Sequence, residues 1–575
     1  MARIRRLEIR NFRSIQALDW PPSAGINCIV GPGDSGKSSI LDAIDLCLGA
    51  RRSAPFGDTD FHRLDVNHPI VISATLGALP DPLLNLDAYG EFLRGFDPDT
   101  GQVEDEPRAG IETVLTMRLT VMSDLEPVWS LYSQRAERQG LERGLAWKER
   151  TALAPARIGS YANTNLSWTR GSVLNRLTDE RANLGSELAR AAREARANFG
   201  NQAGVQLAET LQAVTRTAIY LGVPVGASAQ ALLDIHSVSI GDGAIALHDE
   251  AGVPLRSLGT GSTRLLIAGL QRIAAESATI ALVDEVEYGL EPHRLARFLD
   301  SLGAKDAALP LQIFMTSHSP VAVRELSGNQ IFVVRNQAGQ HTVRQVGVAD
   351  DVQSTLRADP EAFLAKSIIV CEGASEVGLA RGLDQYWVGQ GVTSFFALGG
   401  AYVNVGGSNP ERCFARGIAL LRLGYRVLVF VDADKAPTRE IVEAFRVAGG
   451  QLLTWRAGCA LEDELFRSLP DDAIDALLVK ACEVVGRDLA ESHITSKSNG
   501  QKALGEIEVE SLINGISDAS KELLGVASRI RGSGWFKSVS TYQEIAREIV
   551  GPHLATAEAG FKAIVEQLRA WTHAA

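Results

Sequence analysis

Apolar and polar positions alternate at the start of the chain. In "RIRRLEIRNF" the residues Ile4, Leu7, Ile9 and Phe12 recur close to period two, which predicts a strand. "GINCIVGPGDSGKSSILDAIDLCLG" reads as strand, glycine-rich turn and helix, and "HPIVISATLG" as a further strand. From about residue 90 the pattern changes. "LTDERANLGSELARAAREARANFGNQAGVQLAETLQAVTRTAIYLGV" is rich in Ala, Arg, Glu and Leu, so a helical insertion that could serve dimerisation is expected over residues 91–230. Strands resume in "HSVSIGDGAIALHDEAGVPL", where "GDG" suits a hairpin turn, and in "TIALVDEVEYGL" and "LQIFMTSHSP". A new strand–helix series starts near Phe363, and the chain turns mainly helical after Leu465. The expected fold class is α/β. One unit comprises residues 1–90 and 231–350, a parallel-sheet core 360–465, and a helical part 466–575.

A chain of 575 residues is too long for one core. It has no run of about 20 apolar residues, and no signal-peptide block follows the basic N-terminus, so a cytoplasmic protein with no membrane partner is expected. The six cysteines form no CxxC pair, which argues against a zinc ribbon or a disulfide framework. Net charge is −12. That balance excludes a uniformly basic nucleic-acid binder, but not a local basic face beside metal-binding carboxylates.

"GPGDSGKSS" fits G-x-x-x-x-G-K-[ST]. Gly31, Gly33 and Gly36 let backbone N–H groups wrap phosphates, Lys37 neutralises them, and Ser38, followed by Ser39, ligates Mg²⁺. Asp284 at a strand tip suits the Mg²⁺ shell, Glu285 suits polarising a water, and His318 of "TSHSP" could reach a γ-phosphate. ATP with Mg²⁺ is the cofactor this pattern calls for. The order of these motifs, with "NFRS" (Asn11 to Ser14) and "LGTGS" before the second strand, resembles an ABC-type ATPase head of the SMC and RecF branch. The resemblance implies that Gly259 and Gly261 belong to a signature acting across a head-to-head dimer. Two departures stand out. Gly259 replaces the usual signature serine, and "DTDFH", with Asp60, occupies the place of the Q-loop glutamine.

Two apolar runs end in acids. "SIIVCEGASE" carries Glu372 and Glu376, and "RVLVFVDADK" carries Asp432 and Asp434. Side by side these carboxylates would repel, and a hard divalent cation, Mg²⁺ or Mn²⁺, would relieve the repulsion. E-G after one strand and D-x-D after another resembles a TOPRIM domain, and E-x-x-x-E its nuclease branch. An ATPase head followed by such a domain resembles the OLD-family endonucleases, including the nuclease component of Gabija-type anti-phage systems. The resemblance implies Glu462 and Glu464 of "LEDELF" as further ligands and Lys537 of "GWFKS" as a stabiliser of the charged phosphate. It implies a two-ion cleavage of double-stranded DNA, regulated by ATP. A homodimer or higher homo-oligomer and a helicase partner belong to the same expectation. The alternative is a non-cutting RecF-type repair ATPase, which needs the phosphate loop but not the acids.

Overall fold

The computed structural model describes residues 2–158, 166, 172–174, 185–221, 226–231, 246–274, 279–306, 311–337, 339–407 and 409–574. Two sheets organise it. The first is a mixed sheet, of 13 strands among the described residues. Its N-terminal strands are β1 (Arg3–Phe12), β2 (Ile15–Trp20), β3 (Ile26–Val30) and β4 (Ile70–Gly77). Next come β5 (Leu93–Asp97), β6 (Gln102–Glu104), β7 (Glu112–Val121), β8 (Pro127–Tyr132) and β9 (Ala156–Arg157). It is completed by β10 (Ile280–Val283), β11 (Gln312–Thr316), β12 (Ile331–Gln337) and β13 (Gln340–Gln345). The order is β6-β5-β7-β4-β1-β2-β13-β12-β3-β11-β10-β9, with β8 on β7. The centre, β12-β3-β11-β10, is parallel, and "INCIV", "IALV" and "QIFMT" are mostly apolar and buried at every position rather than at alternate ones.

The second sheet is wholly parallel. It holds β14 (Ser367–Cys371), β15 (Gly400–Asn404), β16 (Arg426–Val431) and β17 (Gln451–Thr454) in the order β15-β14-β16-β17. Helices cover it, and from Leu461 to His573 the described chain is helical apart from its connections. One apolar cluster crosses between the sheets. It runs from Ile26, Met315 and Val333 through Phe363 to Ile368, Val370, Val427 and Phe445.

The expected insertion is corrected at its start. Residues 93–132 form β5 to β8 of the large sheet. The reason lies in "ETVLTMRLTV", where Leu115, Met117, Leu119 and Val121 recur with period two and are buried. The short helices Gln134–Arg138 and Trp147–Leu153 follow, and the longer described helices of the Ala-rich stretch are Gly185–Gln206 and Ala208–Leu221. The "GDG" hairpin at 241–243 lies outside the described residues.

The helix Ala374–Gly389 packs on the helix Val539–Ile545 through two glycines. A Cβ on Gly378 would sit 2.5 Å from Tyr542 Cβ, and one on Gly382 would sit 2.3 Å from the Gln543 carbonyl. Gly382→Ala is therefore expected to destabilise the protein by about 1–3 kcal/mol through overpacking, read as a lower midpoint of urea unfolding. An unchanged midpoint would mean that the two helices separate freely.

Candidate functional site

Two polar edges stand out, one on each sheet. On the large sheet, β3 runs into the turn Gly31–Gly36 and the helix Lys37–Leu48. Gly36 takes φ +84°, a conformation that glycine adopts without strain. Lys37 is 6% exposed, and its Nζ donates to the Gly31 carbonyl at 3.1 Å, the Pro32 carbonyl at 2.7 Å and Ser35 Oγ at 3.3 Å. Burial pushes its ammonium down to about 8. Ser38 Oγ donates to Asp284 Oδ1 at 3.2 Å, so the hydroxyl and carboxylate expected to share an ion are neighbours. Gly33 and Ser39 lie on the same turn and its helix, with Gly33 exposed. Glu285 follows Asp284, and its backbone N–H donates to Thr316 Oγ1 at 2.8 Å. His318 lies close enough to Lys37 to be pushed down by it, after burial as the larger cause.

Of the signature pair, Gly261 makes the closer approach, since a Cβ there would meet the Gly289 carbonyl at 2.4 Å. Gly259 caps the helix Thr260–Ile273, and a Cβ there would touch nothing within 4 Å. Asp60, the stand-in for a Q-loop residue, accepts from Arg13 Nε at 2.9 Å. Its carboxylate is therefore paired within the fold.

Three residues were missed by sequence reasoning. Thr316 Oγ1 donates to Asp284 Oδ1 at 2.6 Å. Glu287 accepts from Ser317 Oγ at 2.8 Å and from the His318 N–H at 2.7 Å, tying the β11 edge to the β10 edge. Arg264, 1% exposed, donates to the carbonyls of Asp284 at 3.2 Å and Glu285 at 3.1 Å from beneath. Glu287, two residues beyond Glu285, carried a local signal. Thr316 and Arg264 did not, because their contacts cross between elements.

On the small sheet, β14 and β16 pair in parallel with Cys371 opposite Phe430, so Glu372 and Asp432 leave adjacent strands at the same end. The Asp432 N–H donates to Glu372 Oε2 at 3.3 Å, and the Leu461 N–H donates to Asp432 Oδ1 at 3.0 Å. Glu376, 3% exposed, closes a capping box by accepting from the Gly373 N–H at 2.8 Å. Glu462, also buried, meets Lys537 Nζ at 3.4 Å. Asp434 lies at the rim, 3.9 Å from Arg529 Nη1, while Arg529 Nη2 reaches Asp463 at 3.2 Å. Arg529 is a second cation at this edge that sequence reasoning missed. It sits almost a hundred residues from Asp434, with no motif to mark it.

The carboxylates feel one another. Burial first, and then Glu462 and Glu372, raise Glu376 to about 7. Burial and the neighbouring Glu376, Glu462 and Glu372 push Asp432 well above the ordinary carboxylate range. Glu464 does not join them. Two positions from Glu462 on a helix, it points elsewhere and takes Arg456 Nε at 2.9 Å and Ser468 Oγ at 2.8 Å. Its place as a ligand is thereby corrected. Among the described residues, no group of three or more His, Cys, Asp or Glu side chains is arranged to hold one metal ion.

A raised carboxylate keeps its proton longer in the folded than in the unfolded protein. Glu376 therefore favours folding below about pH 4.5, and that contribution is lost as pH rises through about 7. Glu376→Gln keeps the capping acceptor but does not titrate. Its thermal midpoint, measured in chelator, should rise relative to wild type between pH 5 and 8, by roughly the few degrees that 1 kcal/mol brings. A pH-independent difference between the two proteins would refute the buried-charge account.

Comparison with known proteins follows this geometry. RecF, the "DNA replication and repair protein" of Nitrosococcus oceani, is 47% identical over 53 residues, which is 9% of this chain and 14% of that protein. RecF of Vibrio campbellii is 54% identical over 48 residues, 8% of this chain and 13% of that one. Among solved structures, an SMC head bound to the C-terminal winged-helix domain of ScpA covers 59% of this chain and 97% of its own, at 16% identity and TM-score 0.31. A RecF–ATP structure covers 60% and 99%, at 12% identity and TM-score 0.31. Residues 26–324 match the family described as "AAA domain, putative AbiEii toxin, Type IV TA system". That span is more than half of the 575 residues, and the chain belongs to this family of ATPase domains.

Proposed function

We propose that this protein is a divalent-metal-dependent DNA endonuclease of the OLD type, regulated by its N-terminal ATPase domain. The observation that carries the reading is the gathering of Glu372, Glu376, Asp432 and Glu462 at one end of two parallel strands, with Lys537 beside them. The parallel order β15-β14-β16-β17 with acids at the strand ends supports a TOPRIM core over residues 360–465. The helices after Leu465 would be its C-terminal part, and the helices Gly185–Gln206 and Ala208–Leu221 the dimerisation element.

The donor set fits Mg²⁺ or Mn²⁺ in kind, being all carboxylate oxygen, with Glu376 buried, Glu372 and Asp432 partly buried, and Asp434 at the rim. Glu372, Glu376, Asp432 and Asp434 would hold it, with Glu462 behind. A divalent cation would supply Lewis acidity toward a phosphodiester and lower the pKa of water. The chain's own part is to place positive charge. Lys537 and Arg529 at the rim would meet the phosphate and offset charge developing in the transition state. Glu376, protonated more readily than an ordinary carboxylate, can hold a proton near neutral pH.

At the other edge, ATP would lie on Gly31–Ser39, with Ser38 and Asp284 sharing Mg²⁺, Glu285 orienting the attacking water and His318 near the γ-phosphate. Partners on this reading are double-stranded DNA, a second copy of the chain and a helicase. A family description that mentions a toxin system is in keeping with anti-phage defence. No described helix is long and apolar enough to cross a membrane. The second reading, a non-cutting RecF-like repair ATPase, is favoured by the short RecF match and by the lack of a ready three-ligand cluster among the described residues.

Supercoiled plasmid incubated with Mg²⁺ or Mn²⁺ decides between them. The wild type should nick or cut, Asp432→Ala should not, and Lys537→Ala should be slower by about 10²–10³-fold. Equal cleavage by wild type and Asp432→Ala would remove the acidic edge from the chemistry. No cleavage by the wild type, with intact ATP turnover, would favour the repair ATPase. In parallel, Glu285→Gln should lower ATP turnover by about 10²–10⁴-fold with nucleotide binding retained.

A further inference from the structure

Arg335 lies at the seam between the two sheets and touches both. It sits on β12, next in the chain to Val334, whose carbonyl backs directly onto the Walker loop: a Cβ on Gly31 would lie 2.6 Å from it. Arg335 turns the other way. Its guanidinium is stacked on the Tyr425 ring at 3.9 Å, and its Nη2 donates to the Ala365 carbonyl at 3.1 Å. Tyr425 is itself anchored, its hydroxyl donating to the Phe363 carbonyl at 2.7 Å. The side chain is 8% exposed, unusual for an arginine outside a ligand or an ion pair. Gly424, at φ +88°, leaves it room, since a Cβ there would come within 3.1 Å of Arg335 Cγ. A cavity of about 340 Å³ opens beside it, bounded by Pro32 and Ser35 of the phosphate loop and by Lys366 and Gly424 of the small-sheet unit.

The two groups that Arg335 holds have a common place in the topology. Ala365 stands just before β14 and Tyr425 just before β16. Those two strands, paired in register from Ser367↔Arg426 to Cys371↔Phe430, carry Glu372 and Asp432 at their far ends. A strand of five or six residues spans about 17–20 Å and is stiff along its length. A shift at its start therefore reaches its end.

We propose that Arg335 is a positioning residue that couples the nucleotide state of the Walker loop to the acidic ends of β14 and β16. The proposal rests on the reading above, that nucleotide regulates the acidic edge, and names the route. Phosphates entering the loop press on Gly31 and hence on the β12 backbone at Val334. Arg335, one residue on, passes the displacement to the starts of both acidic strands. The seam is largely apolar and continuous, with Arg344 of β13 also donating to the Arg422 carbonyl, and the Arg335 guanidinium adds a directional contact at the starts of the acidic strands where packing alone would allow sliding.

Hydrogen exchange of the full-length protein, with and without Mg-ATP, tests this without relying on cleavage. In wild type, ATP should change protection of residues 371–376 and 431–435 by about fivefold or more, the lower end of ordinary coupling between sites. Arg335→Met retains an apolar stem over Tyr425 but not the fork. It should bind ATP as wild type does and lose the change at both segments, while Arg335→Lys should restore it in part. Tyr425→Leu, which removes the ring from the other side, should behave like Arg335→Met. Full ATP-dependent protection in folded Arg335→Met and Tyr425→Leu proteins would overturn the proposal, as would no change at those segments in wild type. Plasmid nicking in the same samples separates the two ideas. A protein that never nicks yet shows the wild-type change and its loss in Arg335→Met would sink the nuclease reading and leave the coupling standing.

Discussion

The parallel pairing of β14 with β16 is the constraint on which the acidic edge depends. Parallel strands in register present their C-terminal ends together, so whatever residue follows Cys371 must stand beside whatever follows Val431. Antiparallel pairing would have sent Glu372 and Asp432 to opposite ends of the sheet. The pairing is fixed in turn by burial. Ile368, Ile369, Val370, Val429 and Phe430 are inaccessible on both faces, and a slip of one residue would exchange every one of them between two different cores. The acids are placed by hydrophobic packing that they do nothing to favour.

That placement works against the fold. Burial raises Glu376 and Asp432 because the charged form loses water; Glu462 and Glu372 add their repulsion to both, and Glu376 adds its own to Asp432. Elsewhere in the same unit, one buried acid is paired. Glu464, 0% exposed, is matched by Arg456, whose guanidinium also meets Glu558. Two carboxylates on one short helix, Glu462 and Glu464, thus have different surroundings: Glu464 is matched by Arg456 away from the edge, while Glu462 meets Lys537 among the acids, with Arg529 also at the rim. Imbalance of this kind at a sheet end marks the cluster as a candidate site.

Much of the fold was legible because its signals are local. The phosphate loop is contiguous, and continuous apolar runs bounded by polar residues mark the buried parallel strands of both sheets. Where reading failed, it failed at boundaries and at reach. Residues 93–132 were assigned to a helical insertion because the Ala- and Arg-rich composition further on was extended backwards, although "ETVLTMRLTV" alternates as a strand does. The resemblance implied Glu462 and Glu464 alike as ligands, although a helix turns residues two apart to different faces. Arg264, Thr316 and Arg529 were invisible for another reason. Each meets its carboxylate or carbonyl only after distant segments pack, and no spacing encodes that.

The two polar edges share one electrostatic logic with opposite sign. At the phosphate loop a lysine is buried among carbonyls, and burial lowers its pKa because an ammonium out of water is unfavourable. At the acidic edge carboxylates are buried, and burial raises theirs. Each site is therefore a charge that the protein has desolvated in advance and left without a full counter-charge of its own. An anion at the first and a cation at the second would each relieve that strain, and would bind the folded chain in preference to the unfolded one. Such sites lower the stability of the unliganded fold and return it on binding. The continuous core between them is what allows either edge to carry this burden without the two sheets coming apart.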